Sequence, residues 1–166
     1  MEGDRDDMIV RVLKTEDIPR LAKMDQEISG RGRRSWYERK IERSLVDTDM
    51  MICLGAEMDG LLVGAVLGSL HFGEFGHPEP VAILDTLLVD REFSRKGVGS
   101  ALIDQLFKNL RGLRISSLRT EVGWRELELL AFFGKVGFVP VPRLVLELDV
   151  ERSDGAPIAS REEDSP

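Results

Sequence analysis

The run Leu87-Leu88-Val89-Asp90-Arg91-Glu92-Phe93-Ser94-Arg95-Lys96-Gly97-Val98-Gly99-Ser100-Ala101-Leu102 holds the residues whose types and spacing best suit chemistry. It reads as a buried strand, a short connection, a basic Gly-x-Gly turn and the start of a helix. That order gathers unpaired backbone N–H groups, the positive end of a helix dipole and two cations, Arg95 and Lys96, at one point. Such a point suits a bound phosphate. Gly97 and Gly99 let the backbone approach an anion without a Cβ in the way. Asp85 is the only ionisable residue in the apolar stretch 81–89, which makes its presence informative. Period-two alternation places it on one strand face with Ile83, Leu87 and Val89.

The elements that must position these groups follow from periodicity. Ile9 to Leu13 is a short apolar run and a first strand. Thr15 reads as an N-cap followed by Glu16 and Asp17, and Ile18, Leu21, Ala22 and Ile28 form a helical stripe ended by Ser29-Gly30. Tyr37, Ile41 and Leu45 mark a second helix over 35–46. Two strands, 51–56 and 61–70, flank Asp59-Gly60, a type I′ hairpin signal. Residues 71–80 read as a loop and 81–89 as a central strand. Val98, Leu102, Leu106 and Leu110 define a helix stopping at Arg111-Gly112. A strand over 115–122, a helix over 125–135 and a final strand over 141–150 complete the pattern. Residues 151–166, charged and poor in large apolar side chains, read as a disordered tail.

The order β-α-α-β-β-β-α-β-α-β predicts an α/β (α+β mixed) fold. A central mixed twisted sheet is flanked by helices in a single domain over 1–150. A Rossmann fold is a poor alternative. The third glycine is missing from Gly97-Val98-Gly99-Ser100-Ala101-Leu102, and strands and helices do not alternate strictly. The chain has 166 residues, a net charge of −7 and a single cysteine, Cys53. The acidic balance argues against a nucleic-acid partner. One cysteine rules out an internal disulfide, and its apolar setting reads as core. The longest apolar run, 61–70, is too short to span a bilayer, and an acidic N-terminus is unlike a signal peptide, so a cytoplasmic protein without a membrane partner is expected. The basic segment 31–43 reads as a solvated helix face in preference to an anion or acceptor site.

The element order and the segment from Val89-Asp90 to Leu102 resemble the GNAT superfamily of acyl-CoA-dependent N-acyltransferases. The likeness extends to Leu130-Ala131-Phe132-Phe133-Gly134-Lys135-Val136-Gly137-Phe138, which is similar to the family's later helix. The resemblance implies acetyl-CoA as co-substrate, no metal, and an acetyl transfer to a primary amine by direct attack. The acceptor would be a small-molecule or peptide amine, and a homodimer is compatible with it. The strand before the glycine turn would carry a bulge, and Leu87, Leu88 and Val89 would hydrogen-bond the pantetheine arm. The amides from Arg95 through Lys96, Gly97, Val98 and Gly99 to Ser100 would hold the pyrophosphate.

Three positions depart from the family pattern: Ser94 replaces a usual Gln or Arg, Glu126 a usual Asn, and Phe133 the usual Tyr that protonates the departing thiolate. Magnitudes show that the last is tolerable. Thiolate departure at pH 7 carries a penalty of about 1.5 pKa units, roughly 2 kcal/mol, whereas deprotonating a primary amine carries about 3.4 units, roughly 4–5 kcal/mol. The base therefore matters more than the acid. By resemblance the base is a carboxylate on the strand before the turn, which is Asp85. A structural carboxylate bonded to Thr86 or a loop backbone is the equal alternative for that residue. Glu121 would approach the cleft from the other side. His71, Glu74 and His77 lie on the preceding loop, where a plain surface loop is the preferred reading of the histidines over a lining of the acceptor pocket. A different functional class, a non-catalytic acyl-CoA sensor, draws its support from Phe133.

Overall fold

In the computed structural model, which describes residues 7–151, Asp59 and Gly60 have φ values of 50° and 76°. A type I′ turn needs positive φ at both central positions. The turn joins β2 (Leu54–Met58) to β3 (Leu61–His71), pairing Met58 with Leu61. With β1 (Met8–Val12), β4 (Val81–Val89) and β5 (Leu118–Thr120), these strands form one sheet in the order β1-β2-β3-β4-β5. Pairing is antiparallel except between β4 and β5, which run parallel. The mixed sheet and its flanking helices are the fold class that the sequence predicts.

The helices divide the core between the two sheet faces. Leu21 and Met24 of α1 (Ile18–Ser29) and Tyr37 and Ile41 of α2 (Arg34–Val46) pack with Cys53, Leu62, Ala65, Leu67 and Leu88. Val98, Leu102, Leu106 and Leu110 of α3 (Val98–Gly112) are buried on the other face with Val63, Val66, Ala82 and Leu84. These four residues are the stripe read from i+4 spacing. Phe133 of α4 (Leu127–Val136) belongs to the same cluster.

Several boundaries differ from the sequence reading, each for a local reason. Thr15 does not cap α1. Residues Thr15–Asp17 form a 3₁₀ turn, and it is the Asp17 carboxylate that accepts the Lys14 amide at 2.8 Å. The strand expected at 51–56 begins only at Leu54. A 3₁₀ turn, Thr48–Ile52, precedes it, pinned by the Asn109 side-chain amide donating to the Met51 carbonyl at 2.7 Å. The strand expected over 115–122 contracts to Leu118–Thr120 because the Ile115 amide donates back to Leu110 O at 2.9 Å and so closes α3 instead of opening a ladder. The final strand expected over 141–150 does not form: those residues have no regular secondary structure. Pro140 and Pro142 enter that segment without N–H donors. The expected tail lies, from residue 152 onward, outside the described residues.

Two buried carboxylates tie helices to their surroundings. Arg11 donates to both oxygens of Asp17 at 2.8 Å and to Glu57 at 2.7 Å, joining β1, the first turn and β2. Asp25, whose side chain is fully buried, accepts from Arg33 Nε at 2.9 Å and Ser29 Oγ at 2.8 Å. Burial pushes both carboxyls up, but the guanidinium partners outweigh it and hold them below the usual carboxylate range. A folded-state pKa below the unfolded value gives stability that is complete above the unfolded pKa and lost as pH falls through the folded one. Thermal unfolding followed from pH 7 downward should therefore show a loss of stability beginning near pH 4. Asp25→Asn should flatten that dependence while lowering the neutral-pH midpoint.

Gly68 offers a sharper test of packing. A Cβ there would lie 2.4 Å from the backbone oxygen of Ile83. Gly68→Ala should cost about 3 kcal/mol in urea unfolding, at the upper end of overpacking penalties. Gly134→Ala, inside α4 with nothing within 4 Å, should instead stabilise by up to about 1 kcal/mol.

Candidate functional site

The β3–β4 register changes beside Gly68. Leu67 pairs with Thr86 and Gly68 with Leu84, leaving Asp85 as the extra residue of a β-bulge. The extra residue reverses the alternation of β4. Before it, Ala82 and Leu84 face α3; after it, Leu87 and Val89 face that side, while Leu88 joins the α1–α2 core. Asp85 therefore does not share a face with Leu87 and Val89, as simple alternation predicts. Its carboxylate lies toward α2, 2.9 Å from Lys40 Nζ. The basic segment 31–43 is thus partly structural: Arg33 pairs with Asp25, Arg34 with Glu38, and Lys40 with Asp85.

The parallel pairing of β4 with β5 ends at the same place. Its last pair is Leu84 with Thr120, whose hydroxyl donates to Leu84 O at 2.9 Å. Beyond it, Leu87, Leu88 and Val89 pair with β3 on one side and, among the described residues, with no strand on the other. The sheet splits there, as the sequence reading expects of the strand carrying Val89. Glu121 is exposed and directly follows Thr120, the last residue of β5, so it and Asp85 are the first residues past the last pair on either side of the split.

The split leads to the glycine turn. Asp90, buried, donates its amide to Val63 O at 2.9 Å and accepts the Glu92 amide on its carboxylate at 2.9 Å. That carboxylate also pairs with Arg20 of α1, whose Nε donates to Leu62 O at 3.0 Å. The end of β4 is thus fixed to both α1 and β3. Arg95 and Gly97 adopt positive φ, 62° and 81°, a conformation unusual for arginine and ordinary for glycine. The first amide bond of α3 runs from Ala101 to Gly97 O at 2.9 Å. The amides of Val98, Gly99 and Ser100 therefore precede the intrahelical ladder. Arg95 and Lys96 are exposed, and the Lys96 ammonium stands 5.2 Å from the Phe93 ring centre.

Gly99 is shaped by a neighbour that sequence reasoning did not single out. A Cβ there would meet the Phe132 ring at 3.2 Å and Val89 at 3.9 Å. Phe132, one residue before the position noted for its missing hydroxyl, borders the first turn of α3. Phe133 is 4% exposed and packs between Phe132 and Phe138, with ring centres 5.5 and 4.9 Å away. Glu126 accepts the Gly123 amide at 2.7 Å and closes the turn that enters α4.

Lys40 also lines a polar pocket of about 440 Å³ with Arg43, Asp47, Asp49, Ser69 and His71. His71 is 3.5 Å from Glu74 and 3.1 Å from Ser69 Oγ, whereas His77 is exposed. Cys53 is fully buried, its Sγ 3.7 Å from Gly68 O, and burial pushes its thiol pKa up. It is a core residue. Among the described residues no helix is long and apolar enough to cross a membrane. Asp90 carried a usable sequence signal, an Asp two residues before an amide it can cap. Arg20, 70 residues away in sequence, carried none.

Solved structures share this architecture. The aminoglycoside N-acetyltransferase AAC(6')-Iy in complex with CoA superposes with a TM-score of 0.73 at 14% identity, over 86% of this chain and 95% of that one. Ard1 from Thermoplasma volcanium gives 0.68 at 25% identity, over 80% and 83%. Arabidopsis thaliana Naa50 with a bisubstrate analogue gives 0.63 at 17%, over 79% and 82%. No curated protein matches the sequence significantly. The fold is that of the acetyltransferases. The sequence model of the acetyltransferase (GNAT) family matches residues 16–138, and the chain belongs to that family.

The contact between Gly99 and Phe132 can be tested by relief. Gly99→Ala should cost about 1–2 kcal/mol in urea unfolding, because the added methyl must displace an aromatic ring. In Phe132→Leu the same change should cost clearly less, and equal costs in both backgrounds would exclude the ring as the cause.

Proposed function

We propose that the chain is an N-acetyltransferase that moves the acetyl group of acetyl-CoA to a primary amine by direct attack. The observation that carries this reading is the end of β4–β5 pairing at the bulge, in line with the N-terminus of α3. An arm of amides laid in the split would find the free edge of Leu87, Leu88 and Val89. A pyrophosphate at its end would meet the amides from Gly97 to Ser100, with Arg95 and Lys96 at the rim. The left-handed backbone at Gly97 aims those amides outward together. CoA-bound neighbours such as AAC(6')-Iy support the co-substrate. A neighbour with a bisubstrate analogue built on an aminoglycoside and another built on a peptide support an amine acceptor.

In the transfer the amine nitrogen forms a bond to the thioester carbon, the carbon–sulfur bond breaks, and the amine proton leaves to a base. Asp85 is the base in this reading, with Glu121 across the split as its rival. The bulge turns the Asp85 carboxylate to the α2 side of the sheet, where Lys40, itself part of the lining of the polar pocket, holds one of its oxygens. Phe133 supplies no proton, so the thiolate of CoA takes its proton from water. The cost of that departure, roughly 2 kcal/mol at pH 7, is the smaller of the two proton penalties.

Calorimetry with acetyl-CoA and free-thiol release with a panel of amines test the proposal. The parent should bind acetyl-CoA, and Gly97→Val should weaken binding at least tenfold, because a β-branched residue resists positive φ. Asp85→Asn should leave that affinity nearly unchanged and lower turnover by about 10²–10⁴-fold, with partial recovery at high pH. A larger effect of Glu121→Gln would move the base to β5. Melting temperatures on the same preparations separate catalysis from folding. Acetyl-CoA binding without thiol release to any amine would favour the sensor reading, for which the buried, hydroxyl-free Phe133 is the supporting observation.

A further inference from the structure

Lys40 brings a primary amine to the residue read as the base. Its Nζ lies 2.9 Å from Asp85 Oδ2, and the two side chains are 16 and 30% exposed. An amine that is to lose a proton to Asp85 must come within hydrogen-bond distance of that carboxylate. In the folded chain Lys40 already holds that place. Two further placements agree. Asp85 is the first residue of β4 past its last pair with β5, so the ion pair stands at the inner end of the split. Lys40 also borders the polar pocket of about 440 Å³ that it shares with Asp49, Ser69 and His71, which gives an added acetyl group space outside the core.

The other lysines are placed differently. Lys14, Lys23, Lys96, Lys108 and Lys135 are all exposed, and among the described residues Lys40 alone pairs with Asp85. An acetyl donor acting from solution meets the exposed amines most often. One seated in the split meets first the amine held at the base, because both reactants then belong to one assembly.

We propose that the chain acetylates itself at Lys40, whose Nζ is the acceptor for acetyl-CoA seated in its own split. The proposal rests on the acetyl-transfer reading with Asp85 as base. In the step a bond forms from Lys40 Nζ to the thioester carbon, and the carbon–sulfur bond breaks. The ammonium gives up two protons, one through Asp85 and one to water, and the departing thiolate takes one from water. The product is a neutral acetamide. The charged tie between α2 and the bulge is then lost, and Asp85 is open to an external amine.

The full chain is incubated with acetyl-CoA carrying an isotopically marked acetyl group, and each lysine is followed by peptide mass mapping. Lys40 should be acetylated at least about tenfold faster than any exposed lysine, at a rate independent of protein concentration. Unfolding in urea should abolish the preference. Gly97→Val should slow acetylation at Lys40 and leave the exposed lysines unchanged, and it should lack any acetyl group that the parent carries from expression. Lys40→Arg, which keeps a cation beside Asp85, should take no acetyl group at that position. Acetylation that follows exposure alone would overturn the proposal. A rate rising in proportion to protein concentration would do so too, since one copy would then be modifying another. Calorimetry on the same preparation separates two failures. If acetyl-CoA binds while Lys40 stays unmodified, the self-acetylation fails by itself; if acetyl-CoA does not bind, the acetyl-transfer reading fails with it.

Discussion

The bulge at Asp85 sets the geometry of everything downstream of it. One residue without a partner reverses which side chains of β4 face which helix layer, so that Leu87 and Val89 serve the α3 side and Leu88 the α1–α2 side. The bulge is accommodated because the opposing residue is Gly68, whose missing side chain leaves room for the displaced Ile83 carbonyl. Pairing with β5 stops at Leu84, next to the displaced residue. A sheet that would otherwise continue as a closed ladder therefore opens, and the opening lies along the approach to a helix N-terminus. The split between β4 and β5 and the packing of β4 against its two helix layers are consequences of the same local irregularity.

Around this opening, charged groups act as fasteners. Arg20 and Asp90 join α1 to the end of β4, and Lys40 and Asp85 join α2 to the bulge. Both helices of one layer are thus attached, through side chains, to the strand that borders the split. Arg11 does the equivalent work at the far edge, holding β1, the first turn and β2 together. These pairs are partly buried, where a lost partner leaves an uncompensated charge. Positional definition of the site comes from them more than from the exposed cations of the glycine turn.

Much of this was legible in the sequence where physics is local. Asp59-Gly60 specified its turn, and the i+4 stripe specified α3. What was not legible depended on distance. Alternation placed Asp85 with Leu87, since nothing in the residues 81–89 announces an inserted position; the signal lies across the ladder at Gly68. Arg20 and Asp90 meet only after folding. Phe132 and Phe133 are indistinguishable as letters, and only the rotation of α4 decides which ring borders Gly99. The segment 141–150 has the composition of a strand, but Pro140 and Pro142 withhold donors at its start and the Arg143 amide turns back to Val141 O, and no ladder forms among the described residues.

Cys53, of no chemical use to the site, gives the molecule a built-in gauge. Its thiol is enclosed by the α1–α2 core and raised in pKa by burial, and only the thiolate reacts with alkylating reagents. In the native state it is shielded twice, by access and by ionisation. Alkylation therefore proceeds only through openings that separate α1 and α2 from the sheet, and its rate in excess reagent reports the free energy of that opening. One native atom thus measures how firmly the layer carrying Arg20 and Lys40 is held against β4.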